Sequence, residues 1–148
     1  MSFEISSEQE MIRLMARDFA RKELEPMAAR WDREGIFPVD TIKKMGELGL
    51  LGMMVPAELG GSAAGAVAYS LALQEIAFSC ASSAVTMSVA NLSTEPLLKF
   101  GTQEQKKKWL TGLAEGSLLG AFALTEPGAG SDTGSMTNSA KLQKDKYI

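Results

Sequence analysis

The chain has 148 residues, 45% of them hydrophobic and 22% charged, which is the balance of a soluble globular domain with a buried core. Its net charge of −3 provides no basic field for nucleic acid or an anionic membrane. The absence of histidine excludes His-based general bases, Ser-His-Asp and Cys-His nucleophile systems and the usual zinc sites, so we expect no metal.

The first predicted element is a long amphipathic helix. Ser7 to Glu10 predict a capping box with Ser7 as the N-cap, and an apolar stripe at helical spacing follows. Pro26 should kink or restart this helix, and Gly35 should end it.

Two further helices are predicted in the middle of the chain. Asp40 is the predicted N-cap of a short helix that closes at Gly49. Residues 55–65 contain proline, paired glycines and small residues, which predict a loop. Residues 66–79 are apolar on nearly every helical face, as in a helix buried in a bundle or an interface.

The next predicted helices follow closely along the chain. Ser82 or Ser83 is expected to cap one helix, and Pro96 to start another short one. Thr102 to Gln105 form a second predicted capping box, whose helix should end at Gly116.

The longest uncharged stretch covers residues 76–94. It contains five serines, two threonines and an asparagine, too many polar groups for a membrane span. Its lone Cys80 has no internal disulfide partner, which fits a reducing compartment. We therefore expect a buried helix pair with Cys80 as a small apolar residue.

The sequence changes character after Gly116. The apolar run 118–124, bounded by Gly116 and Pro127, predicts a buried strand. Residues 136–148 alternate loosely, with Lys144 to Lys146 placed as a hairpin turn.

Together these patterns predict a mostly α fold. We expect an N-terminal bundle of about six helices over residues 1–117, followed over residues 118–148 by the first strands of a truncated β-domain. The chain ends in the middle of the strand pattern, and a two-stranded fragment is only marginally stable alone.

The loop "FALTEPGAGSD" carries the most specific chemistry. Thr125 can offer an amide and a hydroxyl to a ring system, and Gly128 and Gly130 allow the backbone to approach a ligand closely. Amides around Gly130 and Ser131, with the Ser131 hydroxyl, suit a pyrophosphate. On the residues alone, a plain β-turn at Pro127 is at least as well supported. The third glycine and the crossover helix of the dinucleotide fingerprint are missing.

"AFALTEPGAGSD" at 121–132 resembles the signature of the acyl-CoA dehydrogenase family. Three upstream segments agree with that family in order and spacing, so the resemblance covers essentially the whole chain. They are "LGLLGMMVPAELGG" at 48–61, "ALQEIAFSCASS" at 72–83 and "FGTQEQKKKWLTGLAEG" at 100–116.

The resemblance implies the N-terminal portion of an FAD-dependent enzyme that oxidises acyl-CoA thioesters to trans-2-enoyl-CoA. When full length it would form a homotetramer and pass electrons to an electron-transfer flavoprotein. The stretches "LGLLG" and "SVANL" most resemble members acting on short or branched chains. The catalytic glutamate and much of the FAD site belong to a missing part of the family's fold. Glu95 and Glu126 match that base by type only, so no catalytic residue is assigned and the chain alone is expected to be inactive.

The resemblance also implies binding residues. Phe122, Leu124 and Thr125 would contact the isoalloxazine ring, with Thr125 hydrogen-bonded at its pyrimidine end. Gly130 and Ser131 would lie along the pyrophosphate, and Ser131 would also meet the CoA part of the substrate. The family's acyl-tail wall aligns with four residues, each equally consistent with plain bundle core: Val85, Ser88, Val89 and Leu92.

Two alternatives stay open at this point. One is an oxidase of the same fold that uses O₂. The other is a complete, non-catalytic helical module that binds a partner through the apolar surface 66–92. The intact Met1 start favours a bacterial cytoplasmic protein over one of the mitochondrial matrix.

Overall fold

The computed structural model describes residues 4–148, so Met1, on which the expected location depends, lies outside the described residues. Residues 4–148 form a mostly α fold with a short antiparallel hairpin near the C-terminal end, which confirms the predicted fold class. The helices are α1 (Ser7–Phe19), α2 (Glu25–Glu34), α3 (Val39–Glu47), α4 (Gly65–Ser79), α5 (Ala81–Phe100) and α6 (Gln103–Ala114), and the strands are β1 (Leu142–Gln143) and β2 (Lys146–Tyr147).

Both predicted capping boxes exist, but the first begins one residue earlier than expected. The Ser6 hydroxyl accepts the Gln9 N–H at 3.2 Å, and the Gln9 side chain accepts the Ser6 N–H at 3.0 Å. Ser7, the predicted N-cap, is instead the first residue of α1. Two adjacent serines each have a suitable partner three residues later, so the pattern fits two registers. Thr102 and Gln105 form the second box as predicted.

The prolines and Gly35 explain how α1, α2 and α3 are delimited. A π-helical turn at Ala20–Leu24 joins α1 to α2, and Pro26 lies at the start of α2, which confirms the predicted restart. Gly35 ends α2 with φ of 65°. The prediction of Asp40 as N-cap is wrong, because Pro38 precedes the first helical residue. Asp40 lies in the first turn, where a carboxylate is favourable to the positive end of the helix.

Helix α5 is longer than predicted. Cys80, in an extended conformation, caps it directly after α4, so neither Ser82 nor Ser83 is the N-cap. Pro96 lies inside α5 and does not start a new helix. The second half of α5 is held in line by packing, which offsets the hydrogen bond lost at the proline. Leu97 and Leu98 pack there against the cluster of Val55, Leu110 and Ala114.

The main core lies between α1, α4 and α5, the elements with the densest mutual packing. Cys80 is buried in it with a free thiol. The large buried side chains come from the turn between α1 and α2, from α3 and the loop after it, and from α4 and α5. They include Leu24, Ile42, Met45, Leu50, Leu51, Ile76 and Met87. No helix within residues 4–148 combines the length and apolarity needed to cross a membrane.

The segment after α6 differs from prediction in one respect. Residues 118–124 form no strand, because a strand exists only against a neighbour and none of the described residues pairs with this segment. The predicted hairpin is present, with Leu142 paired with Tyr147 and Lys144, at φ of 58°, in its turn. The turn is shorter than predicted, because Lys146 already belongs to β2 and pairs with Gln143.

Candidate functional site

The glycine-bearing loop contains a closed turn. The Glu126 N–H donates to the Ala129 carbonyl at 2.9 Å, and the Ala129 N–H donates to the Glu126 carbonyl at 3.1 Å. Pro127 and Gly128 are the two central residues, as the β-turn alternative requires, although no regular strands flank the turn. Ala129 is only 3% exposed, so one end of the turn is fixed by packing.

Thr125 and Gly130 lie side by side at the base of this turn. A Cβ atom placed on Gly130 would lie 3.8 Å from the Thr125 methyl carbon, and one on Gly128 would meet nothing within 4 Å. The chain's own packing therefore does not require either glycine. The open space that they leave fits a ligand brought close to the backbone.

The donors of this loop are available to a ligand. Within residues 4–148, the amides of Thr125, Gly130 and Ser131 and the hydroxyls of Thr125 and Ser131 make no hydrogen bond to the chain. Phe122 and Leu124, which precede them, are each 44% exposed. The predicted cofactor residues are therefore exposed apolar groups followed by exposed, unbonded donors.

Glu126 points the other way, to the segment that follows. Its carboxylate accepts the Thr137 N–H at 2.9 Å, the Thr137 hydroxyl at 3.2 Å and the Asn138 N–H at 3.2 Å. The Thr137 amide is the main cause of the lowered pKa of Glu126, and it outweighs the opposing effect of desolvation. A carboxylate that accepts three hydrogen bonds and has a lowered pKa is a poor general base.

The start of the loop is packed against α5. The Leu118 N–H donates to the Gly112 carbonyl at 2.9 Å. A Cβ on Gly120 would lie 2.0 Å from the Ser93 hydroxyl oxygen, so only glycine allows this approach. The loop consequently begins beside the outward face of α5.

The structure separates the four predicted acyl-tail residues into two clefts. Val85 and Val89 line a cleft of about 220 Å³ together with Leu119 and Gly120, the segment that leads into the loop. Three other residues of this cleft are not predicted from the sequence, although two of them are the neighbours of Val85 and Val89 on α5. They are Phe37, Thr86 and Ala90.

The second cleft lies on another side of α5 and has a volume of about 290 Å³. Ser88 and Leu92 line it with Met54 and Tyr69. Glu95 also lines it, with its carboxylate 3.7 Å from the Lys99 ammonium. Glu95 therefore lines the cleft of Ser88 and Leu92 and not the one that Leu119 and Gly120 line.

The comparisons with known proteins define the class. Residues 6–117 match the family model for the acyl-CoA dehydrogenase N-terminal domain. The match covers well over half of the chain. The chain therefore belongs to the acyl-CoA dehydrogenase family.

Three similar proteins illustrate the relationship. The mouse mitochondrial short-chain specific acyl-CoA dehydrogenase is 49% identical over 148 residues, which is 99% of this chain and 36% of that protein. The structure of butyryl-CoA dehydrogenase from Megasphaera elsdenii superimposes with a TM-score of 0.89 at 36% identity, over 99% of this chain and 40% of that one. The FAD complex of acyl-CoA dehydrogenase from Bacillus anthracis gives 0.85 at 36% identity, over 98% of this chain and 25% of that one. The chain thus spans well under half of each relative, and these relatives are both bacterial and mitochondrial.

Proposed function

We propose that the chain is the N-terminal part of an FAD-dependent dehydrogenase that converts an acyl-CoA thioester to trans-2-enoyl-CoA. One observation carries the proposal. Leu119 and Gly120 line the cleft of Val85 and Val89, and the exposed hydrogen-bond donors of the glycine-bearing loop begin at Thr125, five residues after Gly120. An acyl chain in this cleft and a flavin ring over the loop would be neighbours. The division into a helical domain, 1–117, and the beginning of a β-domain, 118–148, belongs to the same proposal.

The loop residues have separate proposed roles toward FAD. Phe122 and Leu124 contact the ring, and Thr125 donates its amide and hydroxyl to the pyrimidine end. Gly130 and Ser131 lie along the pyrophosphate, and Ser131 also meets the CoA part of the substrate. When bound, FAD supplies the two-electron oxidant of the reaction. The availability of these donors within residues 4–148 supports the assignment.

The α-proton must also be removed by a base, and neither Glu126 nor Glu95, the two candidates by residue type, suits this role. Glu126 is occupied by three hydrogen bonds, and Glu95 lies in the other cleft. The chain spans 36% of its mouse relative. We therefore assign the base to a part of the enzyme outside these 148 residues and expect no turnover by the chain alone.

The proposed substrate is a short acyl-CoA, since the names of the mouse and Megasphaera relatives specify short-chain and butyryl thioesters. An electron-transfer flavoprotein as acceptor, a homotetramer as the assembled form and a bacterial cytoplasmic location complete the proposal. The free Cys80 is compatible with a reducing compartment.

Calorimetric titration of the chain with FAD, FMN and ADP tests the flavin site, because FMN carries the ring and ADP the pyrophosphate. Thr125→Ala should weaken FAD and FMN by about three- to tenfold, the value of one hydrogen bond. Ser131→Ala should weaken FAD and ADP by a similar factor while affecting FMN less.

Ser139→Ala is the matched control, because it removes an exposed hydroxyl from the same C-terminal segment. It should leave all three affinities unchanged. Equal affinities of wild type, Thr125→Ala and Ser131→Ala for FAD would refute the proposed cofactor site.

A further inference from the structure

The glycine-bearing loop is exposed, yet both ends of its turn, residues 126–129, are held in place. Thr125 and Gly130 are separated in sequence by the turn 126–129, and a Cβ placed on Gly130 would lie 3.8 Å from the Thr125 methyl carbon. Ala129 is fixed by burial at one end of this turn. The other end, at Glu126, is held by its contacts to a separate segment of the chain.

Those contacts converge on one carboxylate. One Glu126 oxygen accepts both the N–H and the hydroxyl of Thr137, and the other accepts the Asn138 N–H. Hydrogen bonds to an ionised acceptor are stronger than neutral ones. They tie residue 126 to residues eleven and twelve positions further along the chain.

We infer that Glu126 is the positioning residue of the cofactor loop, holding Thr125 and Gly130 at the relative placement in which ring and pyrophosphate bind together. The inference rests on the proposed function for the identity of the ligand. The Glu126 carboxylate accepts its hydrogen bonds from Thr137 and Asn138. Glu126 therefore affects ligand binding indirectly, by holding the turn in place. Prior fixation of the loop lowers the conformational cost of ligand binding.

The three hydrogen bonds also predict how substitutions rank. Glu126→Ala removes all of them. Glu126→Gln keeps one oxygen that can accept both Thr137 donors, but its amide NH₂ would face the Asn138 N–H, donor against donor. Thr137→Val removes only the hydroxyl contact and leaves both amide contacts.

Amide hydrogen exchange of the 148-residue chain without flavin measures the positioning itself. Glu126→Ala should raise exchange at the hydrogen-bonded amides of residues 126, 129, 137 and 138 by about tenfold, with Glu126→Gln intermediate and Thr137→Val close to wild type. The thermal midpoint of the helices should not change. Glu47→Ala, an exposed carboxylate at the end of α3, is the matched control and should exchange as wild type.

FAD titration of the same variants measures the consequence. Affinity should fall by about ten- to a hundredfold in Glu126→Ala, the usual cost of losing an orienting partner, and be partly restored in Glu126→Gln. Unchanged exchange at the amides of residues 126 and 129 in Glu126→Ala would overturn the inference whatever the FAD result. Raised exchange in a chain whose wild type binds no FAD would support the positioning role and count against the proposed function.

Discussion

The Asn91 side chain accepts a hydrogen bond from the backbone N–H of Met53 at 2.9 Å. Its amide nitrogen donates to the carbonyls of Leu50, at 2.9 Å, and Met87, at 3.0 Å. Asn91 is 4% exposed, so these contacts are made in the core. One buried amide thus links the loop after α3 to the helix that carries both clefts.

Replacing Asn91 by alanine should lower the free energy of unfolding by about 1–3 kcal/mol, because the Met53 N–H is left buried without a partner. Urea denaturation followed by circular dichroism measures the change. Ser88→Ala, one turn earlier on α5, should change stability by less than about 0.5 kcal/mol. An Asn91→Ala chain as stable as wild type would show that this link is not a determinant of the fold.

The ion pair between Arg17 of α1 and Glu75 of α4 should make stability depend on pH. The Arg17 guanidinium donates to both Glu75 oxygens, at 2.8 and 2.7 Å. Its hydrogen bond lowers the pKa of Glu75 below the ordinary value of 4.5, against the opposing effect of desolvation. The folded state therefore binds fewer protons than the unfolded state. The stabilisation is fully present above pH 4.5 and is lost as the pH falls through the lowered pKa.

Glu75→Gln should therefore be less stable than wild type at pH 7, and the difference should shrink below pH 4.5. Thermal unfolding at a series of pH values measures both effects. Glu34→Gln, which removes an exposed i,i+4 partner of Arg30, should differ little from wild type at any pH. A constant difference across the acid range for Glu75→Gln would contradict the assignment.

Matched substitutions can determine which of the two clefts beside α5 binds the acyl chain. Val85 and Leu92 are both well exposed, at 62% and 46%, so a larger side chain at either position enters a cleft without disturbing the core. If the acyl chain lies beside the loop, Val85→Phe should weaken butyryl-CoA binding to the FAD-loaded chain by about tenfold, and Leu92→Phe should not. Equilibrium dialysis measures both. Weaker butyryl-CoA binding in Leu92→Phe than in Val85→Phe would instead assign the acyl chain to the cleft of Ser88 and Leu92.

The contact between Gly120 and Ser93 should be sensitive to a single methyl group. Gly120→Ala places its Cβ 2.0 Å from the Ser93 oxygen, and we expect it to displace the start of the loop at a cost of about 1–3 kcal/mol. The Ser93→Gly, Gly120→Ala double variant removes the clash. It should recover stability and FAD affinity relative to Gly120→Ala. Failure of this rescue would show that Gly120 is needed for another reason.

The sequence predicted those parts of the fold that depend on local chemistry. The Thr102 cap, the restart at Pro26 and the left-handed Gly35 each follow from a few adjacent residues. Pro96 was misjudged because packing of the second half of α5 overrides its local preference. The apolar run 118–124 has the pattern of a buried strand, but that pattern contains no information about the neighbour that a strand needs.

The candidate site was predictable to a similar extent. The pattern around Thr125 to Ser131 predicts an exposed turn, because proline and glycine favour turns and glycine leaves the backbone open to a ligand. The distribution of the four predicted acyl-tail residues of α5 between two clefts was not predictable from the sequence. It depends on where Leu119 and Gly120 lie, which the period of the helix does not specify. Thr86 and Ala90 were missed for the same reason.

Two-dimensional NMR of the ¹⁵N-labelled chain during FAD titration tests the central claim most directly. The proposal predicts that the largest saturable shifts occur at the amides of Thr125, Gly130 and Ser131, with smaller ones at Phe122 and Leu124. The amides of α1 and α2 should not move. Saturable shifts centred on the cleft of Ser88 and Leu92, with the amides of the loop unmoved, would contradict the account of this loop as the flavin-binding edge of the protein.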